Sequence, residues 1–135
     1  MKFDHIGVFV KTLSYGREEI KKMFNILSES EVFNDKQMSV SVQFLYDPDD
    51  ICYEIVAPYG DKSPVDNVIS SKKNILNHVA YKVKNFDEKI SEYINLRCIP
   101  LGKPINAVAF NNARVIFFPS SLGFIIELIE DEENE

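Results

Sequence analysis

Cysteine is scarce in this chain. Cys52 and Cys98 are the two present, and neither belongs to a CxxC or zinc-finger spacing. That argues against a disulfide framework and a thiolate metal site, and leaves two buried thiols in a reducing cytosol as the expectation. Long hydrophobic runs are missing as well, so no segment has the length of a membrane span. The opening Met1-Lys2-Phe3-Asp4-His5 leads straight into a strand-like segment without a secretory-leader pattern, which fits a cytoplasmic protein. Positive charge is in deficit, with 15 Lys and Arg against 21 Asp and Glu and a formal net charge of −6. This balance disfavours nucleic acid and anionic membranes as partners and leaves a small molecule. Arginine is limited to Arg17, Arg97 and Arg114, so a charged substrate would need a local cationic anchor. Part of the negative excess, Glu130, Asp131, Glu132, Glu133 and Glu135, is expected to be a solvated tail.

What is present is a repeat. A chain of 135 residues suits one domain, and its halves align when the sequence is slid by 73 positions, the distance from His5 to His78. His5-Ile6-Gly7-Val8-Phe9-Val10-Lys11 then falls on His78-Val79-Ala80-Tyr81-Lys82-Val83-Lys84. Val42, Phe44 and Leu45 fall on Val115, Phe117 and Phe118, and Tyr53-Glu54-Ile55-Val56 falls on Ile126-Glu127-Leu128-Ile129. The same interval of 49 positions separates His5 from Glu54 and His78 from Glu127. Module one is expected over about 1–58, a linker over about 59–74, and module two over about 75–130.

Within each module the periodicity predicts the order β-α-β-β-β. In module one, strand alternation covers 2–10. A helix follows at about 14–27, with Ser14 as N-cap and Ile20, Met23, Phe24 and Leu27 as its buried stripe. Strands are expected near 28–34, 38–46 and 51–57, with a turn at Asp47-Pro48-Asp49-Asp50. Module two repeats this with a strand at 75–83 and a helix at about 86–96, where Asn85 and Glu88 form a capping box. Strands near 98–101, 113–118 and 123–129 finish it.

Strand parity puts each His and each Glu mid-strand, opposite an apolar face suited to packing under a helix. Singly, such residues are usually a satisfied core histidine or a solvent-facing glutamate. Here both histidines of the chain occupy equivalent repeat positions, each with a Glu at equal spacing. Two imidazole nitrogens and two carboxylate oxygens suit a six-coordinate divalent metal with one or two open positions. Two carboxylates buried together without a cation would be costly.

The segments Asp4-His5-Ile6-Gly7-Val8, Tyr53-Glu54-Ile55-Val56-Ala57-Pro58, Leu76-Asn77-His78-Val79-Ala80 and Gly123-Phe124-Ile125-Ile126-Glu127-Leu128 resemble the four metal-ligand strands of the vicinal oxygen chelate superfamily. Within it the chain is most similar to the glyoxalase I and methylmalonyl-CoA epimerase group. The resemblance implies an α+β fold in which two βαβββ modules form an open, incomplete barrel. It implies nickel, cobalt, manganese or zinc held by His5, Glu54, His78 and Glu127, and a homodimer acting on a small molecule.

Such a metal stabilises the enediolate formed when the proton beside a carbonyl is removed. The resemblance gives Glu127 the part of base, with Glu54 as its counterpart. Epimerase relatives often carry Gln where Glu54 stands, and some use a carboxylate from the preceding strand, where 38–46 has none. Both points favour a lyase of glyoxalase I type, with a 2-substituted acyl-CoA epimerase as the alternative. Against glyoxalase stands the lack of an obvious arginine set for glutathione. A metal-free binding protein would dispense with the ligands, and an extradiol dioxygenase would use two histidines and one carboxylate. For substrate contacts, Ser41, Gln43, Asn112 and Arg114 are expected on the concave face. Arg114, which overlays Ser41, could anchor a carboxylate or phosphate there, or could be a surface arginine at a strand start. Gly7 and Ala80 would keep the space beside the metal open, and loop 103–112 would rim it.

Overall fold

A computed structural model describes residues 1–132. By contact it divides into two compact units, one spanning His5–Asn77, the other joining Met1–Asp4 to the chain from His78 onward.

The His5–Asn77 unit contains most of β1 (Lys2–Phe9), then α1 (Leu13–Met23), β2 (Ser28–Glu29), β3 (Phe33–Asp35), β4 (Val40–Tyr46), β5 (Cys52–Pro58) and α2 (Pro64–Ser71). Its strands run β2-β4-β5-β1, with β3 also on β4; β1 and β5 are parallel, β4 and β5 antiparallel. Asp47 closes the β4–β5 turn, its Oδ1 accepting from the N–H groups of Asp49 and Ile51, both at 2.9 Å. Val10, Ile20, Leu45, Ile55 and Ala57 form the core beneath α1. Gly16 lets the helix sit this close, since a Cβ there would lie 2.6 Å from Val10 Cγ1.

The second unit holds most of β6 (Leu76–Val83), then α3 (Phe86–Asn95), β7 (Ile105–Ala107), a 3-10 turn at Val108–Phe110, β8 (Ala113–Pro119) and β9 (Ile125–Glu130). The order β6-β9-β8-β7, with β6 parallel to β9 and the others antiparallel, repeats the topology of the first unit. Val83, Phe86, Ile116, Phe118 and Leu128 form its core, with Ile90 and Tyr93 of α3 packed on them. The fold is α+β and duplicated, as the repeat predicts.

Several local expectations are corrected. Helix α1 is capped by Thr12, whose Oγ1 accepts from the Tyr15 N–H at 3.0 Å, so Ser14 lies inside the first turn. It ends at Met23, because the following residues are claimed by β4: the Leu27 N–H donates to Tyr46 O and that of Ser30 to Phe44 O. Of the expected stripe only Ile20 is buried, while Met23 and Leu27 are 76% and 74% exposed. Asn85 is the N-cap of α3 but makes no side-chain capping bond, so the capping box does not form. The linker carries α2, started by Ser63 and Pro64, where no helix is expected. Residues 98–101 are not a strand, although the Leu101 N–H donates to Phe117 O; the edge strand is β7, inside the expected loop and paired with β8. Glu130 ends β9 rather than opening a tail, and Glu133 and Glu135 lie outside the described residues. No helix among the described residues is long and apolar enough to cross a membrane.

Candidate metal centre

In the first unit the parallel pairing of β1 with β5 sets Gly7 directly across from Glu54. His5, two residues earlier on the same strand, emerges on that same face. Its Nε2 lies 3.2 Å from Glu54 Oε1. Ile55 and Ala57, on the opposite face of β5, lie in the core under α1. The apolar side holds the strand while the polar side presents the pair.

The second unit does the same thing with other residues. Ala80 pairs with Glu127 across β6 and β9, and His78 shares the face of Ala80. His78 Nε2 lies 3.3 Å from Glu127 Oε1, and Leu128 on the opposite face belongs to the core under α3. Small residues, Gly7 and Ala80, thus pair across the ladder with the two glutamates.

All four side chains are buried, with His5 at 0%, Glu54 and His78 at 5% and Glu127 at 3% relative exposure. An ionised carboxylate this deep is costly unless matched by positive charge. A divalent cation supplies that charge and needs deprotonated oxygen and neutral imidazole donors. The His/Glu/His/Glu set is one that could hold a metal ion, so the residues fit the group.

Each pair has an aromatic neighbour that parity alone did not assign to it. Phe44 pairs across the ladder with Glu54, and its ring meets His5 at 5.8 Å between centroids and 66°. Phe117 pairs with Glu127, and its ring meets His78 at 6.2 Å and 77°. The signal that could have found them was the repeat, which overlays Phe44 on Phe117.

The expected substrate contacts are not brought to this face. Pairing of Phe44 with Glu54 places Gln43 and Ser41 on the other side of β4, with Ile55 and Ala57 under α1. There the Gln43 carbonyl accepts from Arg17 Nη1 at 2.7 Å, its Nε2 donates to Ser30 O, and Ser41 Oγ donates to Asn34 Oδ1. Arg114 likewise lies opposite the Glu127 face. It donates to Glu130 (Nε to Oε1, 3.0 Å; Nη2 to Oε2, 2.8 Å) and to both Asp87 oxygens, with its guanidinium 4.8 Å from the Phe86 ring. These contacts hold its pKa above the ordinary value, chiefly through the Glu130 hydrogen bond, and hold Glu130 below its own. These contacts make Arg114 a clamp between β8, β9 and α3. Asn112 sits exposed in the turn before β8 with φ 65°, its backbone bonded to Ala107 and Asn106. Cys52 is buried and Cys98 partly so, and both are free thiols.

A family model described as the glyoxalase/bleomycin resistance protein/dioxygenase superfamily matches residues 4–132. Among solved structures, methylmalonyl-CoA epimerase from Mycobacterium tuberculosis is similar at TM-score 0.78 and 18% identity, over 96% of this chain and 87% of that one. A hypothetical protein from Bacillus halodurans is similar at TM-score 0.78 and 22% identity, over 99% and 96%. Glyoxalase I from Zea mays is similar at TM-score 0.66 and 18% identity, over 99% of this chain and 44% of that one. At these identities the likeness shows the shared fold. No curated protein matches the chain by sequence.

Proposed function

The chain belongs to the glyoxalase/bleomycin resistance protein/dioxygenase superfamily, and we propose that it is a metal-dependent enzyme whose single divalent ion is held by His5, Glu54, His78 and Glu127. One observation carries the reading: the same buried His–Glu pair is built twice, on the same strand pairing, in the two halves of the chain. Bound there, a divalent ion would supply Lewis acidity toward the oxygens of a carbonyl substrate. Glu127 removes the proton next to a carbonyl and returns it to another carbon or another face. Glu54 stands opposite in role as its counterpart. Phe44 and Val42 on β4, and Val115 on β8, are buried on the strand faces that carry Glu54 and Glu127, which makes the surroundings of the carboxylates apolar.

The reaction proposed first is that of a glyoxalase I type lyase acting on a 2-oxoaldehyde–thiol adduct, favoured by the carboxylate at position 54. An epimerase of a 2-substituted acyl-CoA is the second reading, favoured by full-length likeness to methylmalonyl-CoA epimerase. Completeness of the ligand set speaks against a metal-free binding protein. The test is turnover of metal-loaded protein on the methylglyoxal–thiol adduct and, separately, on methylmalonyl-CoA. Conversion of the adduct supports the lyase, and conversion of only the thioester replaces it with the epimerase. Metal content is measured alongside, with about one ion per chain expected. Unchanged content in His5→Ala and His78→Ala would remove the site assignment.

A further inference from the structure

We infer that Phe44 and Phe117 are positioning residues, each holding the imidazole of its own His–Glu pair in the orientation that presents Nε2 beside the carboxylate. The inference rests on the four-ligand reading above and concerns how the ligands are aimed. A histidine side chain turns about two bonds, and a metal ligand must be fixed in both. Ligating histidines are commonly oriented by a neighbour that is not itself a ligand. In each half that neighbour includes a phenylalanine set by the ladder. Phe44 lies across from Glu54 and meets His5 edge to face. Phe117 lies across from Glu127 and meets His78 in the same manner. Two independent strand pairings thus deliver one arrangement, at positions the repeat makes equivalent.

The two walls differ in firmness. Phe44 is 6% exposed and is itself backed by the ring of Phe33 at 6.1 Å. The residue that occupies the place of Phe33 in the second unit is Ile105, paired with Val115 as Phe33 is with Val42. Phe117 is only partly buried. The His5 imidazole is therefore the more tightly held, and loss of its phenylalanine should matter more. Phe118, next in sequence, offers a control. It is buried on the opposite face of β8, against Tyr93 at 5.0 Å, where it supports α3 and touches neither histidine.

The experiment titrates nickel ion into chelated protein by calorimetry and records the thermal midpoint of each chelated variant. Leucine keeps most of the volume but has no flat ring to lie against an imidazole. Phe44→Leu is expected to weaken nickel binding about tenfold and Phe117→Leu about threefold, within what an edge-to-face ring contact supplies. Phe117→Tyr, which keeps the ring at this partly buried position, should bind as wild type does. Phe118→Leu should lower the thermal midpoint and leave nickel affinity unchanged. Equal weakening in all three leucine variants would mean general loosening and would overturn the inference, as would no weakening in Phe44→Leu and Phe117→Leu. A wild-type protein that binds no nickel, indistinguishable from His5→Ala, would instead overturn the four-ligand reading and this inference with it.

Discussion

Glu54 and Glu127 are alike in burial and in their histidine partners, and they differ in the work proposed for them. Glutamine can still ligate through its amide oxygen but cannot accept a proton. Glu127→Gln should therefore keep part of the metal affinity while kcat falls by roughly 10²–10⁴-fold. Glu54→Gln should be milder, because ligation is its main role. Both are compared at matched metal occupancy, on whichever substrate the wild type converts. A crippled Glu54→Gln beside a mild Glu127→Gln would exchange the two roles. At this scale the four side chains that could hold an ion were legible in the sequence, since the chain has two histidines and the repeat puts a glutamate at the same distance from each. The substrate contacts were not. Alternation says which residues share a face of a strand; it does not say which face of β4 meets Glu54. Polar Ser41 and Gln43 looked suited to the site, yet they are satisfied by Asn34, Ser30 and Arg17 beneath the helix.

Among the elements, the Arg114 clamp joins β8 to β9 and to the first turn of α3. The guanidinium holds the Glu130 carboxyl below its ordinary 4.5. A carboxyl depressed in the folded state adds stability above its unfolded pKa, and that stability is lost as pH falls through the folded value. Arg114→Ala should therefore cost about 1 kcal/mol at neutral pH, modest because the pair is partly exposed. The gap from wild type should narrow as pH drops below about 4.5, in urea unfolding followed from pH 7 down to pH 3. A gap independent of pH would mean the arginine acts through its packing on Phe86 alone. Element boundaries show the same division between local and distant causes. The apolar spacing of 20–27 reads as helix to Leu27, but ladder bonds to β4 end it at Met23.

For the molecule as a whole, an ion bound to native protein and not to the unfolded chain stabilises the fold by mass action. At an ion concentration 100 times the dissociation constant this amounts to about 2.7 kcal/mol, a rise of roughly ten degrees in the thermal midpoint for a chain of this size. Calorimetric scans of chelated and reloaded protein check it. The chelated form should melt lower, since two buried carboxylates then lose their counter-charge. Identical midpoints would speak against an ion held by the native fold.

By itself the sequence determined the duplication, the α+β class, and the two His–Glu pairs whose donors could hold an ion. These are readable because periodicity, repeat spacing and donor type are properties of residues near one another, or of equal intervals along the chain. Tertiary structure alone decided the register of β4 on β5 and of β8 on β9, which brings Phe44 and Phe117 to the histidines and turns Arg114 away. It also decided that β7 takes the sheet edge and that α1 stops early. Pairing between distant segments sets those outcomes, and a shift of one residue in register would exchange every side chain between the two faces.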